Sequence, residues 1–243
     1  MKKLLKGIFR QAGYSCFNNK ALPWGINLKS DLERIGYRPA DANVVLDIGA
    51  NDGRWLTGVH HVFPNATIHA FEPVPSTFED LRSNVGNKPR VRIYCQGFGS
   101  ESKEITMQLY DNPRVSSMNT QELQVGHHPT ETITVKCNTL DEWLKDTGID
   151  EIDFIKIDVE GYELQVLTGG TNTFRAAKSA FLLIEAKSVL ASEVSGPGVS
   201  LEQLSGFLSP FGYRLMVLYT DNIHLPEQQY YTNFNALFAR VTS

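Results

Sequence analysis

Beyond residue 43 the apolar positions fall into short runs, separated by longer stretches in which apolar and polar residues recur at helical spacing. The run from Asn43 to Ile48 is nearly all apolar, as expected of a strand covered on both faces. A glycine-bearing loop follows, then a helical stretch through Trp55, Val59 and Val62 that Pro64-Asn65 breaks. Thr67 to Phe71 reads as a second strand and Val91 to Cys95 as a third. Between them Ser76-Thr77-Phe78-Glu79 has the form of a capping box opening a helix that runs to Gly86. Glu104 to Tyr110 and Thr132 to Cys137 alternate as additional strands. Thr139-Leu140-Asp141-Glu142 and Ser200-Leu201-Glu202-Gln203 repeat the capping-box pattern, each ahead of a short helix. Ile152 to Val159 and Phe181 to Glu185 are strands, with a helix from Gly161 to Leu167 between them. Tyr213 to Tyr219 and Asn233 to Val241 close the chain as strands with no helix between them, so they are expected to pair antiparallel. The alternation predicts an α/β fold with a mostly parallel sheet and crossover helices.

No linker divides this pattern. Residues 43–243 are read as one domain, with 190–199 as a loop inside it, and residues 1–42 as a helical or irregular lead-in. Near the start, Leu4, Leu5, Ile8 and Phe9 share one side of a short basic amphipathic helix. Docking on its own domain is the expectation for such a helix, with membrane-surface contact the lesser alternative. The apolar run is interrupted by Lys6 and too short for a secretion signal or a span, so no stable membrane insertion is expected.

Composition adds limits. The 243 residues are 42% hydrophobic and 21% charged, as in an ordinary globular protein, and the net charge of −4 gives no sign of nucleic-acid binding. The three cysteines, Cys16, Cys95 and Cys137, form neither a redox pair nor a zinc spacing. An odd count with no secretion signal fits a reducing, cytoplasmic compartment, with Cys95 and Cys137 as buried thiols. Oligomeric state stays open, a homodimer included.

Candidate chemistry clusters where strands end. Asp47 closes the first strand, and Gly49 and Gly53 bracket a turn into a helix. Glycine admits positive φ and close approach of a ligand, and the helix start offers free N–H groups. The spacing Gly49-x-x-x-Gly53 is not the dinucleotide pattern. Asp47 would repel a phosphate and suits a cationic sulfonium carrying an amino group, so the loop points to S-adenosylmethionine. Glu72 stands 25 residues after Asp47 at the end of the second strand, and Pro73 sets the chain direction after it. A carboxylate there can accept both ribose hydroxyls. Gly97 and Phe98 follow the third strand and are candidates to lie beside an adenine ring, with a simple turn as the alternative. Asp158, in Lys156-Ile157-Asp158-Val159-Glu160-Gly161, is the candidate general base for a substrate hydroxyl. Glu160 and Glu163 read as helix N-terminal acids. Asp158 and Glu185 together could hold a divalent metal, but two carboxylates are a thin ligand set and a metal is not favoured.

Taken in order, Val44-Val45-Leu46-Asp47-Ile48-Gly49-Ala50-Asn51-Asp52-Gly53, Ala70-Phe71-Glu72-Pro73, Thr139-Leu140-Asp141-Glu142, Ile152 to Glu163, Ile184-Glu185 and Asn235-Ala236-Leu237-Phe238 resemble the FkbM family of S-adenosylmethionine-dependent methyltransferases. The resemblance covers about residues 27 to 240. It implies a Rossmann-like class I methyltransferase fold, with a seven-stranded sheet whose last strand is antiparallel. It implies that Asp47, Gly49, Asn51, Gly53 and Glu72 surround the cofactor. It also implies methyl transfer to oxygen on a sugar, glycan or other small-molecule acceptor. Ser116-Ser117 resembles a serine pair of the family's pocket rim, and Asp52 replaces the more usual small or apolar residue. His127, His128 and His224 are lower-ranked candidate bases. Two other classes remain on the sequence: an NAD-linked oxidoreductase, which the missing third glycine and Asp47 argue against, and a non-catalytic module on the same fold.

Overall fold

A computed structural model describes residues 22–110, 128–187, 198–224 and 231–241. The chain enters through helix α1 (Leu28–Arg34), whose first turn is capped by Asn27 Oδ1 accepting from Ser30 N at 2.9 Å. Strand β1 (Val44–Ile48) leads into α2 (Arg54–Val62), β2 (Thr67–Phe71) into α3 (Pro75–Val85), and β3 (Val91–Tyr94) into the two-residue β4 (Gly97–Phe98). Strands β5 (Lys103–Tyr110) and β6 (Pro129–Asn138) precede α4 (Leu140–Thr147). Then come β7 (Ile152–Ile157), α5 (Glu163–Gly169), α6 (Thr171–Arg175), β8 (Ser179–Lys187) and α7 (Leu201–Leu208), and the long strands β9 (Tyr213–His224) and β10 (Tyr231–Arg240).

Seven strands form one sheet in the order β3-β2-β1-β7-β8-β10-β9. The pairs from β3 to β8 are all parallel, and β10 is antiparallel to both neighbours. This is the seven-stranded sheet that the resemblance implied, with the last strand reversed and inserted ahead of β9. The reversal follows from the chain: only residues 225–230 separate β9 from β10, too few for the crossover that a parallel pair would need. The two extra alternating strands do not join this sheet. With β4 they build a separate three-stranded sheet, in the order β4-β6-β5.

The strand period of two sorts the side chains onto two faces. Leu46, Ile48, Ile155, Ile157, Leu182 and Ile184 pack toward α4, α5, α6 and α7, with Trp143, Val166, Phe174 and Leu204. Val45, Ile68, Phe154, Leu183 and Leu237 pack on the other face with Leu32 of α1, Leu56 and Val59 of α2 and Leu81 of α3. The lead-in helix is thus part of the domain's core. Each such side chain contributes about 1.5–3 kcal/mol on burial, so both faces are needed to hold the sheet.

Three local expectations change. The box at Ser76 does not form: α3 starts one residue earlier with Pro75 at its first position and Val74 as an uncapped N-cap. Proline's fixed φ and missing N–H suit that position and outcompete a serine cap. Thr139 does cap α4, accepting from Glu142 N at 3.1 Å, but the Glu142 carboxylate turns to Ser102 Oγ. The box at Ser200 is complete. Cys137 is buried as expected, whereas Cys95 is exposed, because β3 ends at Tyr94 and leaves it in the following turn. The N-terminal amphipathic segment, Cys16, Ser116-Ser117 and His127 lie outside the described residues. Among the described residues no helix is long and apolar enough to cross a membrane.

Candidate active site

The carboxyl ends of β1, β2, β7 and β8 open into a cleft of ≈ 730 Å³. Ligands collect at this edge in open α/β sheets. Parity decides which residues reach it. Val45, Phe154 and Leu183 face the α1–α3 side, so two residues further along each strand Asp47, Lys156 and Glu185 face it too, and Asp158 follows Lys156. Asp47 and Lys156 are direct partners between β1 and β7. Glu185 is partnered by Asn235 on β10, itself paired with Tyr219 on β9. Leu28 of α1, Trp55 of α2 and Met107 of the small sheet close the walls.

One end of the cleft is built by the β1–α2 loop. Gly49 has φ +83, and a Cβ there would stand 1.8 Å from the Asp158 carbonyl oxygen. Its missing side chain therefore admits the neighbouring strand end, not only a ligand. Gly53 is the left-handed N-cap of α2, where a Cβ would meet Leu81 Cδ1 at 2.8 Å; it shapes the turn from below and does not line the cleft. Asn51 also has positive φ, and its N–H donates to Glu72 Oε2 at 3.0 Å, while Val74 N donates to Oε1 at 2.9 Å. Glu72 thus staples the two loops and retains lone pairs toward the cleft. Burial pushes its carboxyl up to about 7 against those two bonds. Pro73 lines the cleft beside it.

Asp47 lies one layer down, fully buried, and among the described residues no donor comes within hydrogen-bond distance of either oxygen. Burial pushes it up to about 6, while Lys156 Nζ at 3.6 Å pulls the other way. Asp52 accepts from Arg54 N at 3.3 Å and pairs with the Arg54 guanidinium at 3.0 Å. A carboxylate already occupies the start of α2, where a pyrophosphate would sit. The departure at position 52 therefore strengthens the argument against a dinucleotide.

The other end is acidic. Asp158, Glu160 and Glu185 each offer an oxygen within 4.8 Å of the others. Glu160 stands at φ +52 ahead of α5 and lines the cleft instead of capping the helix. Glu163, the first residue of α5, is buried and ties the preceding loop to the helix by accepting from Val159 N and Gly161 N at 3.1 and 3.2 Å. Burial, then Asp158 and Glu160, raise the Glu185 carboxyl well above the usual range. The geometry adds a third carboxylate to the pair that could hold a divalent cation, but Lys156 Nζ already sits 2.9 Å from Asp158 Oδ2. Burial alone would drive that ammonium toward neutrality; Asp158 and then Asp47 outweigh it and keep it charged. Trp55 adds its ring face, 5.9 Å from Nζ.

Gly97 and Phe98 are elsewhere. They pair with Cys137 and Asn138 in the small sheet. Phe98 is fully buried, edge-on to Phe71 at 4.7 Å and near Trp143. The strand-end signal was real, but the aromatic ring turns into the core, where it buries far more surface than at an adenine edge. His128 is exposed and does not line the cleft. Lys156, Trp55, Tyr219 and Asn235 line the cleft without having been singled out as site residues. Only for Lys156 was there a signal: a lysine inside an apolar strand, which needs a partner.

The methyltransferase FkbM domain profile matches residues 47–215. The chain belongs to the FkbM methyltransferase family. Among its curated relatives, 2-O-methyltransferase NoeI of Sinorhizobium fredii is 28% identical over 153 residues, covering 58% of this chain and 62% of that protein. Hexuronic acid methyltransferase AglP of Haloferax volcanii is 30% identical over 162 residues, covering 65% and 62%. 31-O-demethyl-FK506 methyltransferase FkbM of Streptomyces tacrolimicus is 30% identical over 161 residues, covering 56% and 61%. The match thus spans about three fifths of each relative's length. The cleft fits the family's cofactor: its volume is in the range of small-molecule sites, and one end combines the stapled Glu72 carboxylate with a helix start already occupied by Asp52.

Proposed function

We propose that the protein is an S-adenosylmethionine-dependent O-methyltransferase acting on a hydroxyl of a sugar, a glycan or another small-molecule natural product. The observation that carries this is the pairing, in one cleft, of a stapled Glu72 at the donor end with Asp158 held by Lys156 two strands away along the sheet edge. The cofactor, when bound, supplies a methyl group already activated on a sulfonium. The chain's own work is then to hold donor and acceptor in line and to remove one proton.

Glu72 would accept the ribose hydroxyls, with Gly49, Ala50, Asn51 and Pro73 shaping the donor side and the buried Asp47 setting a negative potential beneath it. Asp158 would take the acceptor's hydroxyl proton: one carboxylate oxygen is fixed by Lys156 and the other remains to act as base. Trp55 and Tyr219 offer ring faces, and Asn235 and Glu185 polar groups, the mixture that grips a polyol. The relatives' names, with 2-O and 31-O transfer and a hexuronic acid, support oxygen as the target and sugars among the acceptors.

Two measurements test the reading. Titration calorimetry should show S-adenosylmethionine binding to the wild type, and an acceptor panel read by S-adenosylhomocysteine release should give turnover with a hydroxylated member. In Asp158→Asn, kcat should fall about 10²–10⁴-fold with donor affinity nearly kept. No donor binding to the wild type, or full turnover by Asp158→Asn, would refute the respective half.

A further inference from the structure

We infer that Lys156 is a positioning residue for Asp158, and not simply the counter-ion of the buried Asp47; the inference rests on Asp158 being the proton acceptor. Lys156 is buried, with a side chain 8% exposed, and stands between two acids. A buried lysine is costly unless its charge is used. The register places it directly opposite Asp47, so neutralising that acid is the obvious role. The distances say otherwise. Nζ lies 3.6 Å from Asp47 Oδ1, an ion-pair distance just beyond hydrogen-bond reach, and among the described residues no closer donor reaches Asp47. The ammonium spends its short bond, 2.9 Å, on Asp158, a group 30% exposed that water could solvate without help. The lysine is thus drawn from the acid that most needs it to the one facing the acceptor.

The surroundings explain why. Asp158 shares its corner with Glu160 and Glu185, all within 4.8 Å. Left to themselves, three carboxylates repel and the most exposed one swings outward. Arg54 also lines the cleft, but its guanidinium is 67% exposed and engaged with Asp52. Lys156 is therefore the buried cation, among the described residues of this cleft, that can anchor Asp158 against its neighbours. Its head lies 5.9 Å from the centre of the Trp55 ring, which limits where it can turn. The anchor leaves one Asp158 oxygen directed by geometry instead of by repulsion. A base must be held to within about 0.5 Å for efficient proton transfer.

The test separates anchoring from plain charge balance. Lys156→Met keeps the apolar stem and removes the charge; Lys156→Arg keeps the charge. Because Lys156→Met also strands Asp47, the double variant Asp47→Asn with Lys156→Met removes both buried charges together. Under the anchoring role, the double variant regains the urea midpoint of the wild type, yet its kcat at saturating donor stays about 100-fold down. Lys156→Arg recovers turnover to within about tenfold, and S-adenosylhomocysteine affinity, read by calorimetry, moves less than about threefold in Lys156→Met. A crystal structure of the double variant shows the Asp158 carboxylate turned by more than about 1 Å, a readout that needs no acceptor. Recovery of kcat along with stability, or an Asp158 carboxylate that stays within about 0.5 Å, overturns the inference and leaves Lys156 as the counter-ion of Asp47. Asp158→Asn run beside these variants separates the two readings. Wild-type turnover there removes the base itself; low turnover there with normal Lys156→Met removes only the anchor.

Discussion

Replacing Gly49 by alanine should damage stability and catalysis together, for a reason visible in one contact. Gly49 has φ +83, and an added Cβ would lie 1.8 Å from the Asp158 carbonyl oxygen and 2.8 Å from its carbon. The left-handed backbone costs an alanine about 1–2 kcal/mol. Relieving the overlap requires the ends of β1 and β7 to separate by roughly 1.5 Å, and such overpacking costs about 1–3 kcal/mol more. The hydrogen bond from Asp158 N to the Ile48 carbonyl, 3.0 Å, lies on the same seam and stretches with it. The expected loss is about 2–5 kcal/mol, or about 4–20 °C in the thermal midpoint for a chain of this size. The displaced atom belongs to the proposed base, so kcat should also fall by about 100-fold in protein that remains folded. Urea denaturation gives the first quantity and single-turnover methyl transfer at saturating donor gives the second. A variant within about 0.5 kcal/mol of the wild type, with unchanged kcat, would show that the strand ends are not in contact and would refute the reasoning.

Three more expectations follow from buried groups. Burial raises the carboxyls of Glu72 and Glu163 from 4.5 to about 7. A raised carboxyl binds its proton more tightly when folded, so that stability is fully present below about 4.5 and is lost as pH rises through about 7. The ligand-free thermal midpoint should therefore decline across that window, and less steeply in Glu72→Gln; an unchanged slope in the variant would contradict the assignment. Ribose hydroxyls are better accepted by the charged form, so donor affinity should rise as pH passes about 7, and Glu72→Gln should abolish that rise in calorimetry. Phe98→Ala should cost about 3–5 kcal/mol by leaving a cavity against Phe71 and Trp143. It should leave donor affinity unchanged in the folded fraction; a selective loss of donor binding would restore the adenine contact.

Much of the site was legible because its residues sit where strands end, and strand ends are marked locally. Asp47, Gly49, Asn51, Glu72, Pro73, Asp158 and Glu185 all fall at or beside the cleft. Phe98 fails the same rule, because β4 crosses into the small sheet and turns its ring inward. Glu160 reads as a helix N-terminal acid from its place ahead of a helix, but with its left-handed backbone it lines the cleft, while Glu163 ties the preceding loop to the helix start. Neither outcome can be read from spacing alone, since each depends on one residue's φ or on which sheet a short strand joins.

By itself the sequence determined the elements and their order. Apolar runs, proline and glycine punctuation and the caps act within a few residues, and the lack of a helical pattern in the sequence between β9 and β10 already pointed to an antiparallel close. Only the tertiary structure decided which charges meet. Asp47 and Lys156 are over a hundred residues apart in the chain and become direct partners through the parallel register of β1 and β7. Glu185 and Asn235 meet through β10. Coulombic and hydrogen-bonding energies depend on distance in space, so the anchored base, the stapled Glu72 and the crowded acid corner exist only once the sheet has brought its strand ends to one edge.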